Sequence, residues 1–195
     1  MIINFNSNKK ISMKDRLAIA SILKEAFWGK LEWYFSRVGK EEALLLFEKA
    51  ITYNIGYYYK EDGIVLGAVL LGKKGMSHLT IDSNIRKRIG FFKGWLLKIV
   101  FTISPLKKGE LCLQMISVSS AARGKGIGKK LLGYLDKFAE KEGFKQIVLD
   151  VIDNNIGALK LYEREGYVVT KHFNTKVFTH GMGFDGVYIM KKQMI

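Results

Sequence analysis

The chain predicts an α/β fold, a sheet of mixed strand direction flanked by helices. Three observations predict it. An acidic-glycine turn, Glu61-Asp62-Gly63, separates two apolar runs and signals a hairpin. A strand-helix-strand-helix succession occupies residues 111–165. Two further apolar runs close the chain around a turn that contains Gly181 and Gly183.

The elements follow in order. Ser12 and Asp15 read as an N-cap with an acidic N3 residue, and Leu17, Ile19, Ile22, Leu23, Ala26 and Phe27 continue at helical spacing. Gly29 is expected to end that helix. A second helix is expected from Lys40 to about Tyr53, carrying Ala43, Leu44, Phe47, Ala50 and Ile51. The hairpin strands are Gly56 to Lys60 and Ile64 to Leu71. Residues 73–109 behave differently: nine lysines and arginines oppose a single acid, Asp82, around an apolar middle. An amphipathic helix is expected from Arg86 to Val100, closed by the only proline, Pro105. The segment reads as an insertion between strands. Leu111 to Val118 is the next strand, and a glycine loop leads from it into a helix with Leu131, Leu132, Leu135, Phe138 and Ala139 inward and Gly143 at its end. Gln146 to Val151 reads as a buried strand, Ile156 to Glu165 as a short helix stopped by Gly166, and Tyr167 to Phe173 and Gly186 to Lys191 as the last strands.

Bulk properties narrow the function. A length of 195 residues, 48% hydrophobic and 26% charged, predicts one domain over 1–195 with a substantial core. The net charge of +14 favours anionic partners and says nothing about fold. Cys112 is the only cysteine, and His78, His172 and His180 lack ligand spacing, so no metal is expected. The N-terminus does not have the charged-then-apolar order of a signal peptide. The longest apolar stretch, 91–103, is interrupted by Lys93 and Lys98 and is short of the roughly 20 residues a spanning helix needs. A cytoplasmic protein is expected.

The stretch Ser119 to Lys130, SSAARGKGIGKK, carries the chemistry. It fits neither a P-loop nor a dinucleotide fingerprint, because Lys129 stands where each pattern needs glycine. It still joins a strand to a helix, whose first amides lack intrahelical acceptors and whose dipole adds partial positive charge. Gly124, Gly126 and Gly128 let backbone approach a ligand, and Arg123, Lys125 and Lys129 add charge. A pyrophosphate suits that combination; a flexible basic turn is the plainer reading. Downstream, Asn155, Leu159 and Tyr162 share one helical face, as a ligand-facing pair or as a cap plus a core tyrosine.

Together these elements resemble the GNAT superfamily of acetyl-CoA-dependent N-acetyltransferases. The family's central signature stands as Arg123-Gly124-Lys125-Gly126-Ile127-Gly128, five residues after Val118. Its later signature is matched at Asn155, Ala158, Leu161, Tyr162, Gly166 and Tyr167. Ser120-Ala121 replaces the Pro-Glu often found before the loop. The resemblance implies a central mixed, largely antiparallel sheet flanked by helices, with the basic helical insertion between the third and fourth strands. It implies acetyl-CoA as acyl donor and no metal: pyrophosphate on Arg123 to Gly128 with Lys129, pantetheine beside the backbone of Ile116, Ser117 and Val118 where the strand splays from its neighbour, Asn155 on the pantetheine arm and Tyr162 at the sulfur. A backbone amide there would stabilise the oxyanion. A phenol of pKa about 10 is a competent acid for a thiolate whose thiol has a pKa of about 8.5, which makes Tyr162 the candidate catalytic acid; packing against CoA with a hydrogen bond to the sulfur is its plainer role. Glu32, Trp33, Tyr34 and Tyr58 are candidates for the acceptor pocket, and Glu32, Gln114, Ser117 and Tyr57 to Tyr59 for the base.

The function expected is acetyl transfer to a primary amine, on a small molecule or a protein N-terminus, by direct attack in a ternary complex. Two alternatives stand beside it: a non-catalytic acyl-CoA-binding module, and a protein that meets an anionic surface through its insertion, where Phe91, Phe92 and Trp95 lie among cations. A homodimer and a peripheral membrane contact are open as partners; nucleic acid is disfavoured.

Overall fold

The computed structural model describes residues 1–6, 11–35, 37–76, 79–90, 106–176 and 183–194, without the side chains of 27–34. Its strands are β1 (Ile2–Asn4), β2 (Gly56–Glu61), β3 (Ile64–Lys73), β4 (Glu110–Val118), β5 (Gln146–Ile152), β6 (Val168–Asn174) and β7 (Gly186–Gln193). Its helices are α1 (Met13–Phe35), α2 (Lys40–Ala50), α3 (Ser83–Ile89), α4 (Ile127–Lys141) and α5 (Ile156–Arg164). The strands form one sheet in the order β1-β2-β3-β4-β5-β7-β6. Only β4 and β5 run parallel; every other neighbouring pair is antiparallel. The mixed, largely antiparallel sheet is the one expected.

Side-chain alternation builds a core on each face. On one face α1, α2 and α3 cover Tyr58, Ala68, Leu70 and Met115 with Ile19, Leu23, Phe47, Ile85 and Ile89. On the other, α4 and α5 cover Tyr57, Val69, Leu113 and Leu149 with Leu131, Leu135 and Tyr162. The hairpin between β2 and β3 turns at Asp62 and Gly63, with φ of 49° and 75° and Glu61 opposite Ile64. Positive φ at both central residues is the I′ geometry that acidic-Gly favours. Buried carboxylates tie α1 down: Asp15 pairs with Lys60 at 2.8 Å and Glu48 with Arg16 at 2.6 Å.

Four boundaries differ from the sequence reading. First, α1 does not stop at Gly29 but continues to Phe35. One internal glycine costs only about 1 kcal/mol, and Lys30, Leu31 and Glu32 are good helix formers that carry the turn onward. Second, α2 ends at Ala50 rather than Tyr53, because Ile51 leaves helical φ/ψ and forms an antiparallel bridge with Leu79. Third, a short strand, β1, pairs with Tyr57–Tyr59 at the sheet edge. Fourth, α3 begins at Ser83, ahead of the expected Arg86, where the Asp82 side chain accepts from the Ile85 amide at 2.8 Å, and its last residue is Ile89, before Gly90 with φ of 96°; the rest of the helix expected over Arg86–Val100 lies outside the described residues. Residues 91–105, including Pro105 and the aromatic cluster at 91–95, lie outside the described residues, as does Gly181.

The start of the basic segment is packed rather than free. Ile85 and Ile89 are fully buried under α2, and Arg88 pairs with Glu42 at 2.9 Å.

Candidate active site

Two irregularities of β4 shape the candidate site. Its register against β3 shifts between Leu70 and Leu71, which face Met115 and Leu113, so Gln114 is an extra, bulged residue. The bulge resets the alternation. Leu111 and Leu113 pack on the α4 and α5 side, Met115 on the other, and Ile116 and Val118 again on the α4 and α5 side. At the same point β4 parts from β5, since the parallel register runs only from Glu110↔Gln146 to Leu113↔Leu149.

Among the described residues, the edge of β4 facing β5 is therefore unpaired by any strand beyond Leu113. The Ser119 amide donates to the Leu66 carbonyl at 2.9 Å, which fixes the phase of the β3–β4 ladder. By antiparallel alternation Ser117 spends its backbone on Ala68, whereas the amides and carbonyls of Ile116 and Val118 turn toward the gap. Of these, the Val118 carbonyl accepts from Arg123 Nε at 3.4 Å. The Ser117 side chain is buried.

The glycine loop leaves the open end of this gap. A short 3-10 turn at Ser120–Ala122 leads to Gly124 and Gly126, both left-handed at φ of 77° and 73°. A Cβ on either would meet nothing within 4 Å, so space is open around both. Gly126 caps α4 with no side-chain acceptor, and the first helical bond runs from the Lys130 amide to its carbonyl. The amides of Ile127, Gly128 and Lys129 consequently lack intrahelical acceptors at the positive end of the helix dipole. Gly128 is helical and needs no special φ. Lys125 and Lys129 are exposed. Arg123 anchors the loop, pairing with Glu25 of α1 at 3.3 Å.

Helix α5 lies alongside this cradle. Leu161 Cδ2 is 3.6 Å from where a Cβ of Gly128 would stand. Tyr162 is buried with Ile127, Leu131 and Val151, its ring 5.7 Å from that of Tyr167. Burial alone pushes its phenol up to about 12. Its hydroxyl makes no hydrogen bond among the described residues. Asn155 caps α5, its Oδ1 accepting from the Ala158 amide at 3.2 Å. The bond is the cap that the plainer reading of its spacing called for; it leaves the Nδ2 group for other work.

The loop, the open edge at Ile116 and Val118, and Tyr162 thus gather on the α4 and α5 face. Tyr58 does not join them. It is buried on the opposite face with its hydroxyl donating to Asp15 at 3.4 Å, and burial followed by that carboxylate raises its pKa. Tyr57 donates to the Leu131 carbonyl at 2.8 Å and Tyr59 to Glu61 at 2.9 Å. Those phenols are already engaged. The side chains of Glu32, Trp33 and Tyr34 lie outside the described residues, although their backbone belongs to the last turns of α1. The bulge at Gln114 was missed from sequence. Its signal is Gly72, where any Cβ would collide with the Gln114 side-chain amide. Among the described residues no group of His, Cys, Asp and Glu could hold a metal ion, and no helix is long and apolar enough to cross a membrane.

The acetyltransferase (GNAT) family model matches residues 23–167. A spermine/spermidine N(1)-acetyltransferase of Bacillus subtilis (strain 168) is 33% identical over 89 residues, which cover 45% of this chain and 53% of that protein. The chain spans about half the length of that curated relative. Among solved structures, one described as an acetyltransferase superposes with a TM-score of 0.65 at 22% identity, covering 100% of both chains. The ribosomal-protein-S18-alanine N-acetyltransferase from Escherichia coli superposes with a TM-score of 0.56 at 16% identity, covering 100% of this chain and 93% of that one. These superpositions show a shared fold, and the family match extends over well more than half of the sequence: the chain belongs to the acetyltransferase (GNAT) family.

Proposed function

We propose that the protein transfers an acetyl group from acetyl-CoA, the family's co-substrate, to a primary amine in a ternary complex. One observation carries the reading: the unpaired edge of β4 at Ile116 and Val118 leads into an uncapped helix N-terminus reached through two left-handed glycines. The edge offers amide donors and acceptors at strand spacing, as a pantetheine arm requires. The amides of Ile127 to Lys129 suit a pyrophosphate, with Arg123, Lys125 and Lys129 as added charge. Asn155 Nδ2 is assigned to the pantetheine arm.

Acetyl-CoA supplies a thioester carbonyl open to attack by a neutral amine. This chain's part is to hold that carbonyl beside a β4 amide, which stabilises developing negative charge. Tyr162 is assigned to the sulfur. A phenol at about 12 keeps its proton at neutral pH, and complete transfer to the departing thiolate, whose thiol has a pKa of about 8.5, is uphill by roughly 5 kcal/mol. Tyr162 therefore acts chiefly as a hydrogen-bond donor that yields its proton late.

For the acceptor, a polycation would want acidic lining. Asp15, Glu48 and Glu25 of the α1 and α2 side are already paired with Lys60, Arg16 and Arg123. With the net charge of +14 beside these pairs, the reading is a monoamine, or a protein N-terminus, rather than the polyamines named for the Bacillus relative.

The test is release of free CoA from acetyl-CoA on addition of a panel of amines and N-terminal peptides. Amine-dependent release supports transfer. Tight acetyl-CoA binding with no acceleration by any amine would instead mark a non-catalytic binding module.

A further inference from the structure

A groove of about 500 Å3 runs along the C-terminal half of α4, remote from the glycine loop. Its floor is half-buried and largely aromatic, made by Ile55, Tyr134, Phe138 and Phe144. Asn4 Nδ2 donates to the Tyr134 hydroxyl at 2.7 Å, which fixes that phenol at the groove's edge. Three exposed lysines, Lys73, Lys137 and Lys141, form the rim, and Glu142 is the one acid among the lining residues. None of the three lysines has an ion-pair partner among the described residues. Lys137 and Lys141 stand one helical turn apart and point the same way. The rise of a helix puts Lys137 roughly 15 Å along α4 from Ile127, so the groove is separate from the pyrophosphate cradle.

We propose that this groove is a second ligand site, for a small anion that carries a flat aromatic ring: the chemistry of a nucleoside monophosphate. The lysines supply unneutralised charge for a phosphate. Phe138 and Phe144, half-buried in the lining, supply the apolar aromatic surface that a base needs for stacking. The volume falls in the range of small-molecule sites and accommodates one nucleotide rather than a strand. The inference does not rest on the acetyltransfer reading.

The probe is AMP, titrated calorimetrically into the full chain with and without saturating acetyl-CoA. The expected result is binding that survives acetyl-CoA and weakens about tenfold or more in the Lys137→Ala/Lys141→Ala variant, as loss of two phosphate contacts implies. Adenosine and inorganic phosphate should each bind at least about tenfold more weakly than AMP, since each lacks one half of the recognition. Both lysines are exposed, so the variant should melt with wild type. Four results would overturn the site: no binding at millimolar AMP, binding that acetyl-CoA abolishes, equal binding by inorganic phosphate, or an equal loss in a Lys40→Ala/Lys49→Ala control on the other face of the molecule. If acetyl-CoA itself fails to bind, the lysine variants still decide the groove.

Discussion

Tyr162 sets the chemistry of a residue by its surroundings. Its phenol is raised by burial with no carboxylate or cation needed, so it stays protonated across the working pH range. Tyr162→Phe should lower kcat by about 100-fold while leaving acetyl-CoA affinity within a few-fold, because the hydrogen-bond donor proposed for the sulfur is lost and packing is kept. In the wild type, kcat should show no alkaline fall from this group below about pH 10; a fall near pH 9 that vanishes in the variant would contradict the assignment. Glu110 shows the opposite environment. Burial works to raise its carboxyl, but the Lys107 amide at 2.8 Å and Lys191 at 3.0 Å outweigh burial and hold it below the ordinary carboxylate value. A lowered folded-state pKa stabilises the protein above the unfolded value of about 4.3 and loses that stabilisation as pH falls through the folded value. Glu110→Gln should cost roughly 2 kcal/mol at pH 7 in urea unfolding, and the gap to wild type should narrow below about pH 4.

Single elements explain why the glycines of the loop are not equivalent. Gly126 is left-handed, so Gly126→Ala should lose about 1–2 kcal/mol of stability as well as acetyl-CoA affinity. Gly128 lies in the first turn of α4 with only an ordinary contact to Leu161, so Gly128→Ala should melt no lower than wild type yet bind acetyl-CoA more weakly. Melting curves with and without ligand separate the two. The same elements show what the sequence made legible. α4, α5 and the hairpin could be read because their periodicity, turn residues and terminal glycines agree with one another. β1 could not: three residues are too few to show a period, and the strand exists only because Tyr57–Tyr59 offers an edge. Gly29 misled because a glycine that ends helices is also tolerated inside them. The bulge at Gln114 hides because the apolar pattern on either side of it is unbroken in sequence and changes face only in space. Of the candidate site, the glycine loop and Tyr162 are singled out by motif spacing, whereas the sorting of Ile116 and Val118 from Ser117 depends on ladder phase, which no composition encodes.

At the scale of the molecule, acetyl-CoA at 100 times its Kd should add about 2.7 kcal/mol, a rise of roughly 5–10 °C in Tm for a chain of this size. No rise at millimolar ligand would remove the basis of the proposed function. The sheet through which that energy is felt is two antiparallel halves, β1 to β4 and β5 to β7, sewn together along four residue pairs from Glu110 to Leu113 and clamped at the base, where Glu110 also accepts from Gln146 at 2.6 Å. Such a seam predicts that amides of the two halves exchange at different rates, although they share the core under α4 and α5. A molecule lying in the gap would continue the seam past its natural end, so bound protein should exchange as one unit. The slowing would then reach amides of β6 and β7 that no ligand touches.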